Sequence, residues 1–508
     1  MTSIAQRPHL SHKRRLAALL GAVTLVAASC GGSSSDADDQ KTPVDIPVAS
    51  KGSFTTSDVS CSGVSVYPSP DTATASPATQ VSFRNIDSTT ITDTAVTVTG
   101  SATGEHTGDI VADSDGRGAS FHPEKPFDAG ETVTVTAPEQ ICGADDSSAS
   151  FQIGSDDIAP LPKPKKTDDD TPETTAADLQ HFASEPGLEP PVLDVTKANP
   201  NADEGYYFMG PKSATIDGGP MITNGDGNLV WYQQVSGDDM VADFRVQTYK
   251  GEPVLTWWEG VIDKGNGTGK GHIVNSSYEP VATVEAGNGY AADMHEFLLD
   301  GDTAWITIYH KSPGDLTALG GAKNAAVLDS IVQQIDIATG NVLFEWHSLD
   351  HVDADTGAVD YDTESARAYD YFHVNSIDPS GDGTILVSAR NTNAIYLLNR
   401  ATGDLVWTLG GSQTDFDMGT GTPFVFQHDA RLRGDRYITI FDNETKKTPA
   451  RIIALDVDID AKKVSLVWEH TAPDDIPVVA QGNLQFLEDG NTVTGWGSSS
   501  VEGKTKGT

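Results

Sequence analysis

Basic residues are scarce in this chain: 33 lysines and arginines stand against 73 aspartates and glutamates over 508 residues, a net charge of −40. A field of that sign repels polyanions and offers no basic patch to grip phosphates, which argues against nucleic acid as a partner. Cysteine is rarer still, with three. The apolar run from Leu16 to Ala28 is too short for a membrane-spanning helix, which needs about 20 apolar residues. What is present is ample for folding: 37% hydrophobic and 7% aromatic residues build a sizeable core, and the length calls for more than one domain.

The short apolar run follows a basic cluster, Lys13, Arg14 and Arg15, and ends in small residues before Cys30, the pattern of an export signal. "LVAASC" and the Gly, Ser and Asp tail behind it resemble the lipobox of bacterial lipoproteins. That resemblance implies a signal peptide over 1–29, a lipid on Cys30 and an extracytoplasmic, membrane-anchored chain on a tether over 30–52. With Cys30 so used, Cys61 and Cys142 are an even pair facing an oxidising compartment, and a disulfide is expected. They bracket Val, Thr and Phe alternating with Gly, Asp and Pro at strand-and-turn spacing, which predicts a small immunoglobulin-like β-sandwich over 53–155. Residues 156–185 mix prolines with blocks of like charge, as linkers do.

From 186 to 508 the chain repeats. A Gly or Asp turn, two or three apolar residues and a tryptophan recur at Trp231, Trp346, Trp407 and Trp468. The last two intervals are 61 residues each, and the first is about twice that, with a worn copy near Thr283 inside it. A period near 60 and strand-and-turn composition predict an all-β fold, a six-bladed β-propeller.

Three histidines keep step with this repeat. His295, His373 and His428 each fall where the first strand after a marker begins, in "AADMHEFLLD", "YDYFHVNSID" and "FVFQHDARLRGDRYITIFDN"; Phe244 and roughly Asn483 hold that place in the first and last copies. Blades are radial, so equivalent positions gather near the axis and the imidazoles should face one another. The ends of the second strands bring Trp257 and Trp258, His310, Arg390 with Asn391, and Asp442 with Asn443; Asn375 shares the side of His373 by strand alternation. His310 and His347 lie off the repeated position, and an ordinary structural role is expected for both. Three imidazoles are also a zinc ligand set, but no carboxylate behind each can be assigned from sequence and Arg390 would oppose a cation, so no metal is expected.

In this order "DMHEF", "EWHSLDHV", "YDYFHVNSID", "ILVSARNTNAIY", "VWTLGG", "FQHDAR", "IFDN" and "QGNLQFLEDGNTVTGWG" resemble the arylsulfotransferases of bacteria, in their shorter, diverse branch, over roughly 200–498. The resemblance implies transfer of a sulfuryl group from a phenolic sulfate to a phenol without a nucleotide donor or other cofactor, by a ping-pong route through a sulfohistidine. It puts His428 as the nucleophile, and His295, His373, Asn375 and Arg390 as the groups that bind and polarise sulfate, with Trp257, Trp258, Tyr371 or Phe372 available to stack on aryl rings. A neutral imidazole can attack sulfur, and fixed donors stabilise the charge that develops on oxygen. Two other uses of the same residues remain open at this point: a cell-surface binding propeller without turnover, and a metal-dependent hydrolase.

Overall fold

The computed structural model describes residues 46, 54, 61–163, 179–197, 205–211, 218–235, 237–381, 383–443, 448–472, 478–487, 491–501 and 504–507. Cys30, the export signal and nearly all of the tether lie outside them. The fold is all-β, with no α-helix among the described residues.

Residues 65–152 form two four-stranded antiparallel sheets over one core. The strand Thr132–Thr136 shows why: in "TVTVT" Val133 and Val135 are buried and Thr134 is exposed, the alternation of a sheet with one dry face. Phe83, Phe121 and Phe151 fill the space between the sheets. Cys61 and Cys142 are joined in a disulfide, as their pairing in the sequence led one to expect. This module is not loosely appended. Tyr67 packs in one cluster with Trp305 and Phe344 and donates its hydroxyl to the Arg400 carbonyl. The buried Asp336 carboxylate accepts from Ser114 N at 2.7 Å, and Asn341 Nδ2 donates to Val111 O at 3.0 Å.

Beyond it come sheets in which each strand pairs antiparallel with the next. Those at 240–284, 297–347 and 374–410 have four strands each; the 428–471 sheet has four more, joined by the short parallel strand Asp417–Met418. A three-stranded sheet at 206–232 precedes them, and the hairpin Asn483–Phe486 with Thr492–Gly495 follows. The strands of the middle sheets are sandwiched on both faces: Val342–His347 and Thr384–Ala389 are buried at every residue. The first strand of one sheet packs on the first strand of the next at 240–284 and 297–347, and again at 374–410, 428–471 and the last hairpin. The arrangement is propeller-like.

The tryptophan markers all lie on the last strand of their sheets, as does Thr283. Trp346 shows one use of such a ring. Its indole N–H donates at 3.0 Å to the Gly403 carbonyl, in the last turn of the following sheet, so the ring fastens one sheet to its neighbour. Truncation of such a buried ring, Trp346→Ala, costs about 3–5 kcal/mol.

Candidate active site

The repeat places the three histidines as its phase requires. His428 opens the strand His428–Arg433, His373 directly precedes Val374–Pro379, and His295 lies two residues before Phe297–Asp300. The His373 and His428 strands pack together, and the three imidazoles converge: ring centroids are 4.9 Å apart for His295 and His373, 6.4 Å for His295 and His428, and 6.5 Å for His373 and His428. One nitrogen from each lies within 4.8 Å of the others. They line a cavity of about 300 Å³ with Lys264, Gly265, Met294, Asp370, Arg390, Asn391, Ala480 and Gln481.

The protonation of His428 follows from its neighbours. Asn443 spends its amide N–H groups on the carbonyls of Val478 (3.1 Å) and Gln481 (2.8 Å), which leaves Oδ1 to face His428 Nδ1 at 2.7 Å. An amide oxygen only accepts, so Nδ1 carries the hydrogen and Nε2 keeps a lone pair. Burial, then the adjacent His295, His373 and Arg390, push the pKa of His428 well below the ordinary 6.5. It is a neutral imidazole at neutral pH, and its Nε2 lone pair accepts the Gln481 backbone N–H at 3.3 Å at the cavity.

His295 and His373 are held differently. Asp293 sits at 2.5 Å from His295 Nδ1 and accepts the His295 backbone N–H at 3.0 Å. Burial alone would raise the Asp293 carboxyl, but the His295 imidazole and the amide donors hold it below its usual range. Asp370 lies 2.5 Å from His373 Nδ1. A carboxylate at Nδ1 fixes the ring's tilt and leaves Nε2 as the working nitrogen. Against both rings stands Tyr309, its centroid 5.7 Å from His295 and 5.4 Å from His373, its hydroxyl donating to the Val374 carbonyl at 2.5 Å. Burial and the two aspartates keep that hydroxyl protonated.

His373 has a positive φ of 60°, a conformation that L residues rarely adopt and that surrounding structure must enforce. Arg390 is enforced as well: Nη1 donates to Asn391 Oδ1 at 2.6 Å, Nη2 to Val479 O at 3.1 Å, and the guanidinium stacks on Phe426 at 4.5 Å. Among the described residues it has no carboxylate partner at ion-pair distance. It is a preset cation at the cavity wall.

The residues that follow two of the histidines, Glu296 and Asp429, do not line the cavity. Glu296, fully buried, takes Arg245 at 2.6 Å and Arg431 at 2.8 Å; Arg431 also holds Asp429 at 2.7 Å, and Asp429 accepts Leu484 N at 2.7 Å. This ionic network ties the first strands of several sheets together behind the cavity and fixes the histidines' spacing.

The structure corrects four expectations. Asn375 does not reach the cavity: its Nδ2 donates to the Gln427 carbonyl at 2.8 Å, so it secures the peptide before His428. Trp257 lies in a core cluster, stacked on His272 at 5.3 Å. Trp258 is also core, its N–H on the Ala292 carbonyl at 2.9 Å, and Tyr371 is buried with Phe372 under the sheets. Aromatic rings at strand ends found partners in packing, as such rings usually do. His310 lies against Tyr290, and His347 is fully enclosed. Asp293, Asp370, Tyr309 and Lys264 were not singled out from sequence. The aspartates stand two and three residues before their histidines, and that proximity was a usable signal.

Solved structures give only distant likenesses. A protein of unknown function from Bacteroides thetaiotaomicron is 12% identical with a TM-score of 0.33, covering 88% of this chain and 98% of its own. One from Bacteroides caccae is 14% identical with a TM-score of 0.30, covering 50% and 75%. Prolyl oligopeptidase B from Galerina marginata is 11% identical with a TM-score of 0.27, covering 77% and 46%. Scores this low bear on neither fold nor function. No curated protein sequence gives a significant match. The sequence profile described as arylsulfotransferase (ASST) matches residues 245–506, a stretch that contains the three histidines, Arg390 and Lys264. The chain belongs to the arylsulfotransferase family.

Proposed function

We propose that this protein is an aryl sulfotransferase that works by ping-pong transfer through a sulfohistidine at His428, on a six-bladed propeller carrying an immunoglobulin-like module. The observation that carries the mechanism is the Asn443 contact, which leaves Nε2 of a neutral, buried imidazole unprotonated beside Arg390. In the first half-reaction Nε2 attacks sulfur, the S–O bond to the aryl group breaks, and its electron pair leaves on the phenolate. A carboxylate-backed histidine, His295 or His373, supplies the proton. In the second half the same imidazole takes the acceptor's proton, the acceptor oxygen attacks sulfur, and the N–S bond breaks. Charge on the sulfuryl oxygens is met by Arg390, preset by Asn391, Val479 and Phe426. The substrates are a phenolic sulfate and a phenol, and no cofactor takes part.

A chromogenic phenyl sulfate, with and without phenol, tests this. Phenol-dependent release of chromophore that disappears in His428→Ala is expected. Release driven by water alone would identify a sulfatase instead.

The second reading is a metal site. The convergence of one nitrogen from each histidine, two of them backed by carboxylates, is the ligand set a zinc hydrolase would use. Metal analysis of the purified protein decides: loss of activity on chelation and its return with zinc would replace the sulfohistidine route.

We also propose export and a lipid anchor at Cys30, supported by the lipobox-like sequence; a disulfide between Cys61 and Cys142 fits an oxidising compartment. No helix among the described residues is long and apolar enough to cross a membrane. Fatty-acid labelling that persisted in Cys30→Ser would contradict the anchor.

A further inference from the structure

One wall of the cavity is a hairpin that reaches beyond its own sheet. Its strands, Glu252–Asp263 and Asn266–Val274, pair with each other out to Asp263 and Asn266, while their outer neighbours pair only as far as Gly260 on one side and Gly271 on the other. The projecting tip is pinned in place. Gly267 N donates at 2.5 Å to Asp293, the carboxylate that also holds His295, and Gly269 N donates to the Ala292 carbonyl at 2.9 Å. Alternate glycines let it lie flush: a Cβ on Gly267 would stand 2.7 Å from the Trp258 ring, and one on Gly271 2.4 Å from Phe297. At Gly265 the Cβ position is 4.0 Å from His373 Cε1, so the turn rests against the reacting centre.

The next residue is Lys264. It is exposed at the cavity margin and held at a φ of 55°. Lys264 and Arg390 are the permanent cations among the lining residues, and the lining carboxylate, Asp370, already faces His373. Among the described residues Lys264 has no carboxylate at ion-pair distance. On a chain of charge −40, a cation kept there offsets a field that would otherwise repel anionic substrates.

We propose that Lys264 selects aromatic substrates bearing a carboxylate on the ring, opposite the oxygen that gives or receives the sulfuryl group. The cavity of about 300 Å³ takes a single substituted ring, with sulfate between Arg390 and His428 and the far substituent at the margin where Lys264 stands. This selectivity rests on the sulfotransferase reading.

The test uses 4-nitrophenyl sulfate as donor and either phenol or 4-hydroxybenzoate as acceptor, and compares the ratio of their kcat/KM values between variants, so that intrinsic acceptor reactivity cancels. The ratio of 4-hydroxybenzoate to phenol should fall about fivefold in Lys264→Ala, the range of a rim-exposed ion pair, fall further in Lys264→Glu, and be retained in Lys264→Arg. It should also shrink in about 0.5 M salt, where the Debye length is only a few ångströms. Equal loss with both acceptors would overturn the proposal and leave transfer intact, since Lys264 would then serve the sulfate or the fold. Calorimetric binding of 4-hydroxybenzoate to the wild type and Lys264→Ala separates the two readings. Lysine-dependent binding without any turnover supports this selectivity and rejects sulfotransfer, whereas binding unaffected by the substitution counts against the selectivity.

Discussion

Two buried histidines on this fold live under opposite electrostatics. His347 is enclosed by acids: Nδ1 faces Asp329 at 2.7 Å and Nε2 faces Glu345 at 3.2 Å. Those acids are themselves saturated, Asp329 by Ser348 and the Leu349 amide, Glu345 by Asn288 and Gln333. Burial works against charge there, yet Asp329 and Glu345 prevail and hold the His347 pKa well above 6.5. His428 is as buried, but its partner is a neutral amide and its neighbours are cationic or imidazole, so its pKa falls well below 6.5. Burial alone does not assign a role. His347 holds both nitrogens against carboxylates, whereas His428 keeps an Nε2 lone pair that meets the Gln481 N–H at 3.3 Å and lines the cavity.

The contrast can be broken most forcefully at His428. His428→Ala should lower phenol-dependent turnover at least about 10⁴-fold, roughly 5.5 kcal/mol of transition-state stabilisation, with a smaller effect on the denaturation midpoint than the next substitution. His347→Leu should do the reverse. It strands two buried carboxylates, so a loss of about 3–5 kcal/mol in urea denaturation is expected, with kcat per folded molecule little changed. Large loss of kcat in a stable His347→Leu protein would show that the enclosed histidine works in catalysis.

A third substitution carries the chemistry of one region into the other. Asn443→Asp places a carboxylate at His428 Nδ1, as Asp329 does for His347, and stabilises the imidazolium. Transfer at pH 6 should fall about tenfold relative to pH 8, because protonated nucleophile cannot attack sulfur. A pH profile that does not move would mean that the amide acts only by position.

The smallest effect is a pair of opposite slopes in stability against pH. The folded pKa of His428 lies below the unfolded value of 6.5, so its contribution is present above pH 6.5 and is lost as pH falls towards the folded pKa. The folded pKa of His347 lies above 6.5, so its contribution is complete below pH 6.5 and is lost as pH rises through the folded value. Urea denaturation across pH should therefore show a flattened acid side in His428→Ala and a flattened alkaline side in His347→Leu.

The cavity was legible in the sequence to the extent that repetition encodes it. The phase of His295, His373 and His428 against the tryptophans predicts their convergence, because equivalent positions in stacked sheets come together whatever the content of the loops. Arg390 was found by the same logic. Strand alternation says which side a residue takes but not how far it reaches, and Asn375 stops at a backbone carbonyl while Trp257, Trp258 and Tyr371 meet packing partners first. Lys264 escaped because it belongs to no repeat: it lies on the 240–284 sheet's own overlong hairpin, whose length depends on glycines fitting against Trp258 and Phe297. The Glu296, Arg245 and Arg431 network was hidden for a related reason. Its members come from different sheets, and ion pairs across 50 or more residues leave no local pattern.

Sulfotransfer at this site requires that His428 Nε2, left unprotonated by the Asn443 contact, form a bond to sulfur. Incubation with a phenyl sulfate in the absence of acceptor, an alkaline quench and peptide mass spectrometry measures that bond directly. An acid-labile SO₃ adduct on the peptide containing His428, discharged on adding phenol, is expected. Steady phenol-dependent transfer with no adduct there, or an adduct on another residue, would contradict the route through His428.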